Sequence, residues 1–109
     1  MKDLEEARIE VESLVNQLLE NNVIGKDSIE AARVVLACMM VGANKDRVQK
    51  VLGKKSLEPY WTNLQPFFDG EKILVDRDFW KNPTVNIVLL VLAAKGLVKP
   101  IIKKESEGE

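Results

Sequence analysis

Histidine is absent from this chain of 109 residues, and cysteine occurs once. Without an imidazole there is no Ser-His or Cys-His nucleophile pair and no histidine general base, and common zinc sites need more Cys and His ligands than the chain contains. Cys38 cannot form a disulfide within the chain, and it lies in the apolar stretch VVLACMMV, where a thiol packs as a small hydrophobic group. The composition therefore excludes the commonest nucleophilic and zinc-dependent chemistries.

Carboxylates are the remaining candidates for catalysis. The densest group comprises Asp69, Glu71, Asp76 and Asp78, of which two could in principle hold a hard cation. The DG pair at 69–70 has the composition of a turn, however, and the DRD segment that follows has that of a solvated strand exit. No spaced acid and base pair and no phosphate-binding loop accompany them. We expect a protein that is not an enzyme and that uses no cofactor and no metal.

Long apolar runs are also missing. The two longest, Val34–Val41 and Ile87–Ala94, have eight residues each, compared with the roughly 20 needed to cross a bilayer. The acidic start, MKDLEEARIEVE, does not resemble a secretory signal. With 46% hydrophobic and 30% charged residues, the composition is that of one globular domain, which we assign to residues 1–103, followed by a disordered tail at 104–109. We expect a cytoplasmic protein with no membrane partner.

Basic charge is concentrated in one segment, although the formal net charge is only −1. Residues 31–55 hold six basic residues against Asp46 alone, whereas residues 1–30 hold three basic and eight acidic residues. A local cationic patch on a nearly neutral protein is what contact with nucleic-acid phosphates requires, but solvated lysines on any helix give the same pattern.

Apolar residues at spacings of three and four predict an N-terminal helix over residues 1–22, with a stripe that starts at Leu4 and Ala7 and ends at Leu18. The stripe can pack within its own domain. It can also form a dimer arm, because the same spacing is that of a coiled-coil seam, and a homodimer through residues 4–19 is the sharper interpretation.

A second helix is predicted from Ser28 to about Val41, with Asp27 and Glu30 as a capping pair and Gly42 as its end. Its sequence is apolar almost all round, which indicates a central buried helix. Near the other end of the chain, a strand over 71–76, a fifth helix over 83–95 that starts at an Asn-Pro pair, and a second extended segment over 97–103 are expected. The two extended segments could pair as a small ribbon.

The segment 44–68 predicts two short helices joined by a glycine turn. Asn44 can cap a helix over 45–52, Gly53 permits a left-handed turn, and Ser56 can cap a helix over 57–66. Pro66 should bend or end this last helix. One side of it carries the apolar residues Leu57, Tyr60, Trp61, Leu64 and Phe68.

Polar residues around this motif are the predicted site of contact with double-stranded DNA. Thr62, Asn63 and Gln65 can pair with base edges in the major groove, and Glu58 can accept from cytosine. The alternative is that they merely cover the outside of a small helix. Contacts with phosphates are assigned to Lys45, Arg47, Lys50, Lys54, Lys55 and Lys72.

The segment from Ile29 to Val75 resembles a winged helix-turn-helix domain. The resemblance rests on a tri-helical core and on a possible wing at the Gly70 turn and the strand at 73–75; the core residues are Val48, Leu52, Gly53, Leu57, Tyr60 and Leu64. It implies a mainly α fold with a small β-ribbon, extended here by an N-terminal and a C-terminal helix, and a DNA-binding protein of the transcription-regulator or architectural type.

Winged helices also serve as protein-docking modules, and this is the alternative function. In that case Tyr60, Trp61, Phe79 or Trp80 would lie exposed as an anchor for a partner protein.

Overall fold

The computed structural model describes residues 3–54, 56–73 and 83–99. Within these ranges the chain forms α1 (Leu4–Glu20), α2 (Ile29–Val41), α3 (Lys45–Leu52), α4 (Tyr60–Leu64) and α5 (Pro83–Ala94). Two strands, β1 (Phe68–Asp69) and β2 (Lys72–Ile73), pair in antiparallel fashion. A short 3-10 turn at Lys26–Ser28 precedes α2, and another at Gln65–Phe67 follows α4. The predicted class, mainly α with a small β-ribbon, is confirmed.

Helix α2 lies at the centre of the core, as its apolar sequence predicts. It packs against α1, α3 and α5, and it is buried on nearly every side. Cys38 is part of this buried surface, and burial raises the pKa of its thiol to about 12, so the thiol stays protonated and packs as a hydrophobic group. The buried residues of α2 are Ala31, Ala32, Val34, Val35, Leu36, Ala37, Cys38 and Val41.

The apolar stripe of α1 packs inside the chain. Ala7, Val11 and Val15 are buried, and α1 contacts both α2 and α3. The interpretation that the stripe packs on its own domain is therefore confirmed for these three residues. Leu4 and Leu18 of the same stripe are only half-buried, and the homodimer through residues 4–19 stays a prediction.

Three helices end with the same hydrogen bond beside a residue with positive φ. Asn22 (φ 57°), Gly53 (φ 65°) and Gly96 (φ 79°) follow α1, α3 and α5. After each of them, the next backbone N–H donates to the carbonyl five residues back, over 2.9–3.0 Å. This arrangement satisfies carbonyls that the helix end would leave unpaired. The predicted turn at Gly53 is confirmed, and α5 ends at Ala94, one residue before the predicted end of the fifth helix.

The predicted cap of α2 is wrong. Ser28 occupies the N-cap position and makes no capping hydrogen bond with its side chain. Asp27 instead accepts from Lys95 Nζ over 2.9 Å, and Glu30 pairs with basic side chains. A 3-10 turn at the start of α2 shifts the first helical residue, and the two carboxylates pair with cations, Asp27 with Lys95 and Glu30 with Arg33 and Lys54.

The helix predicted over 57–66 is shorter than expected. Only Tyr60–Leu64 is α-helical, and Pro66 lies in the 3-10 turn that follows, because proline lacks the N–H that would continue the helix. Ser56 does not cap this helix; its Oγ accepts from the Glu58 backbone N–H over 3.4 Å. Phe68, expected on the helix, belongs to β1.

The ribbon pairs differently from the prediction. Residues 72–73 pair with 68–69 across the tight turn at Gly70 (φ 61°), and 97–99 form no strand. A hairpin closed by two residues costs less chain entropy than pairing with a segment more distant in the sequence. The remainder of the two predicted extended segments, residues 74–76 and 100–103, and the predicted tail at 104–109 lie outside the described residues.

Candidate nucleic-acid interface

Helix α3 carries three of the six basic residues of the predicted interface, Lys45, Arg47 and Lys50. Its inner side is formed by Val48 and Val51, which are fully buried, while Lys45 and Lys50 are exposed. Asn44 starts the helix as predicted, because its Oδ1 accepts from the Arg47 backbone N–H over 3.1 Å. The sequence thus positions α3 with its apolar side on the core and its lysines toward solvent.

Lys45 pairs with a carboxylate from the segment that precedes α4. Its Nζ lies 3.3 Å from Glu58 Oε1, and about half of each side chain remains exposed. Glu58 also accepts a hydrogen bond from the Thr62 hydroxyl. The Thr62 hydroxyl and then the Lys45 ammonium hold the pKa of the Glu58 carboxyl below its ordinary value, so this carboxylate is charged at neutral pH.

Arg47 pairs with the turn of the β-hairpin. Its Nη1 lies 3.6 Å from Glu71 Oε2 and donates to the Val41 carbonyl over 3.5 Å. Asn44 Nδ2 donates to Glu71 Oε1 over 3.1 Å, and the Ala43 backbone N–H donates to the Glu71 carbonyl over 2.8 Å. Glu71 therefore ties the hairpin to the connection between α2 and α3.

Lys54 ends a chain of ion pairs that crosses three parts of the molecule. It pairs with Glu30, which also accepts from Arg33, and Arg33 donates two hydrogen bonds to Glu12 over 2.8 and 2.9 Å. Lys54 and then Arg33 hold the pKa of the Glu30 carboxyl below its ordinary value. This network joins α1, α2 and the turn after α3.

A shallow groove of about 250 Å³ lies beside this network, with Val51 and Leu52 among its lining residues. Arg8 forms another part of its lining. The guanidinium of Arg8 donates to the carbonyls of Val51 and Lys50, each over 3.0 Å, and so caps the C-terminal end of α3 with positive charge.

Two of the three residues predicted to read bases make contacts within the chain. Asn63 Nδ2 donates to the Ala94 carbonyl over 2.8 Å, at the end of α5, and the Thr62 hydroxyl donates to Glu58. Gln65 is exposed in the 3-10 turn after α4. Asn63 therefore joins α4 to the end of α5.

The other residues predicted to contact DNA phosphates, and the aromatic residues predicted to anchor a partner protein, lie only partly within the described residues. Lys50 and Lys72 are exposed, and Lys55 lies outside the described residues. The alternative prediction of exposed aromatic anchors is wrong for Trp61, which is 6% exposed and lies 4.9 Å from Phe68 between ring centroids. Tyr60 is half-buried, and Phe79 and Trp80 lie outside the described residues.

Two of the four carboxylates considered for metal binding, Asp69 and Glu71, lie within the described residues. Glu71 is occupied by Arg47 and Asn44, while Asp76 and Asp78 lie outside the described residues. Across residues 3–54, 56–73 and 83–99, no three acidic or cysteine side chains come together as metal ligands. None of the helices in these ranges has the length and apolar character needed to span a membrane.

Sequence reasoning missed the acidic partners of the basic residues. The pair between Glu30 and Arg33 has the three-residue spacing that a helix brings together, so a search for such pairs finds it. The contacts of Lys45 and Lys54 span 13 and 24 residues and depend on tertiary packing. No local pattern signals them.

Comparisons with protein-family models, with curated protein sequences and with solved structures each gave no match. The resemblance to a winged helix-turn-helix therefore rests on the residue pattern alone and stays a prediction.

Proposed function

We propose that this protein binds duplex DNA through the phosphate backbone, with α3 and the Gly53 turn at the contact, as an architectural or regulatory DNA-binding protein. The observation that carries the proposal is the group of exposed basic residues on α3 and just beyond it, Lys45, Lys50 and Lys54. Eight helical residues extend about 12 Å, so these charges lie within the reach of neighbouring phosphates.

The ion pairs made by Lys45 and Lys54 do not prevent these residues from binding phosphates. Lys45 and Glu58 each keep nearly half of the side chain exposed, and Lys54 and Glu30 keep more than a third. Exposed pairs of this kind stabilise a protein by only about 0–1 kcal/mol. Exchange of a carboxylate for a phosphate therefore costs little.

Contact with the backbone is favoured over the reading of bases. Helix α4, which the sequence predicts as the reading helix, has five residues and extends only about 7–8 Å. Asn63 is committed to the end of α5 and Thr62 to Glu58. Phosphate contacts fix a protein on a duplex without carrying sequence information, so we expect weak discrimination between sequences.

Salt-dependent binding to a labelled random-sequence duplex tests the proposal. Fluorescence anisotropy between about 50 and 200 mM salt should show affinity that falls steeply as salt rises. The double variant Lys45→Ala, Lys50→Ala should bind more weakly and lower the slope of log K against log salt by about 2, roughly 1 for each lost phosphate contact.

The double variant Lys26→Ala, Lys99→Ala is the matched control, because it removes the same charge from two exposed residues that do not belong to α3. It should change neither affinity nor slope by a comparable amount. An absence of binding at the lowest salt, or an equal loss in the control, would overturn the proposal.

A further inference from the structure

Three basic residues of the proposed interface each face a carboxylate that comes from a different part of the chain. Lys45 faces Glu58 from the segment before α4, and Lys54 faces Glu30 from α2. Arg47 faces Glu71 from the hairpin turn. All three cations therefore have a carboxylate partner, although solvent alone could have hydrated each of them.

We propose that Glu30, Glu58 and Glu71 compete with DNA phosphates for these cations and so hold the affinity of the interface below the level that its basic residues could reach. This inference rests on the proposed function. It adds that the acidic residues, and not only the basic ones, determine how tightly DNA binds.

The chemistry of the two acceptors supports the competition. Carboxylate and phosphate oxygens both accept charge-assisted hydrogen bonds from lysine and arginine. A cation that is held by a carboxylate must release it, or share it, before it contacts a phosphate. The carboxylate left behind then lies beside the phosphate and repels it.

The competing charges are present at neutral pH. The pKa values of Glu30 and Glu58 are both lowered, chiefly by the hydrogen bond from Lys54 in the first case and from Thr62 in the second. Both carboxyl groups are therefore ionised when DNA would bind. The pairs are also exposed to solvent, so the exchange of partners needs no opening of the core.

Amide variants test the inference because glutamine keeps the shape and the hydrogen-bond acceptor of glutamate while removing its charge. Glu58→Gln and Glu71→Gln should each tighten binding to a random duplex by about two- to fivefold at low salt, which is the range that an exposed pair is worth. Glu20→Gln, at the exposed end of α1, makes the same change in net charge and is the matched control. Thermal unfolding of each variant confirms that it is folded.

The background variant Lys45→Ala separates local competition from a general charge effect. If Glu58 acts by occupying Lys45, then Glu58→Gln should tighten binding in the natural chain and lose most of this effect when Lys45 is already alanine. A gain no larger than that of Glu20→Gln, or a gain that persists without Lys45, would overturn the inference and leave DNA binding intact. Failure of the natural chain and of every variant to bind DNA would overturn both proposals.

Discussion

Asn86 is the least expected residue of the core. It lies in α5 and is 1% exposed, and neither its Nδ2 nor its Oδ1 has a hydrogen-bond partner within the described residues. A buried amide without partners costs about 1–3 kcal/mol, because it loses its hydrogen bonds to water and gains none. The sequence shows that Asn86 interrupts an otherwise apolar helix. It does not show that the amide is buried, because the side of α5 that faces the core depends on tertiary packing.

Replacement of this amide by an apolar group of similar size should therefore stabilise the fold. Asn86→Leu is expected to raise the free energy of unfolding by about 1–2 kcal/mol, measured by chemical denaturation. Part of any gain could come from the higher helix propensity of leucine, so Asn16→Leu on the exposed side of α1 serves as the control for propensity alone. A loss of stability in Asn86→Leu would contradict the expectation and would show that the amide contributes favourably to the folded state.

At the scale of the elements, the turn at Gly53 decides how the chain leaves α3. Its φ of 65° lies in the left-handed region, and an added Cβ would meet nothing within 4 Å. The cost of a side chain there is therefore a cost of backbone conformation and not of a clash.

Gly53→Ala should lower the free energy of unfolding by about 1–2 kcal/mol for this reason. Gly53→Asn should cost less, because asparagine tolerates the left-handed region, as Asn22 does at the end of α1 (φ 57°). Thermal or chemical unfolding of both variants gives the comparison. Equal losses in the two variants would indicate that the backbone angle is not the cause.

The elements that could be predicted from the sequence are those fixed by local signals. The cap at Asn44, the glycine at 53 and the apolar periodicities of α1 and α2 act within a few residues, and the structure follows them. The helix expected over 57–66 was too long at both ends, because α4 starts only after Pro59 and gives way to the 3-10 turn that contains Pro66. The candidate site was predictable only in its basic residues, because their acidic partners are brought together by packing.

Ion pairs between distant segments join the elements into one molecule. The network that links Glu12, Arg33, Glu30 and Lys54 crosses from α1 to the turn after α3, and Asp27 pairs with Lys95 at the end of α5. Each of these pairs is individually weak, and together they add polar connections between helices that already pack on one core.

Stability should therefore fall in acid. The pKa values of Asp27, Glu30 and Glu58 are lowered in the folded state by the hydrogen bonds and charges of their partners, so the unfolded chain binds protons more readily. The stabilisation that these groups provide is complete above their ordinary pKa values and is lost as the pH falls through the lowered ones. Melting temperatures measured from neutral pH down to about pH 2 should decline most steeply below about pH 5.

Glu30→Gln assigns part of this acid sensitivity to the ion-pair network. The variant should have a lower melting temperature than the natural chain at neutral pH. The two melting temperatures should converge as the pH falls, because Glu30 of the natural chain then also loses its charge. Glu20→Gln, at an exposed position with no ion pair among the described residues, should run parallel to the natural chain across the whole range. A gap between Glu30→Gln and the natural chain that stays constant as the pH falls would show that the carboxylate stabilises the fold through packing and not through its charge.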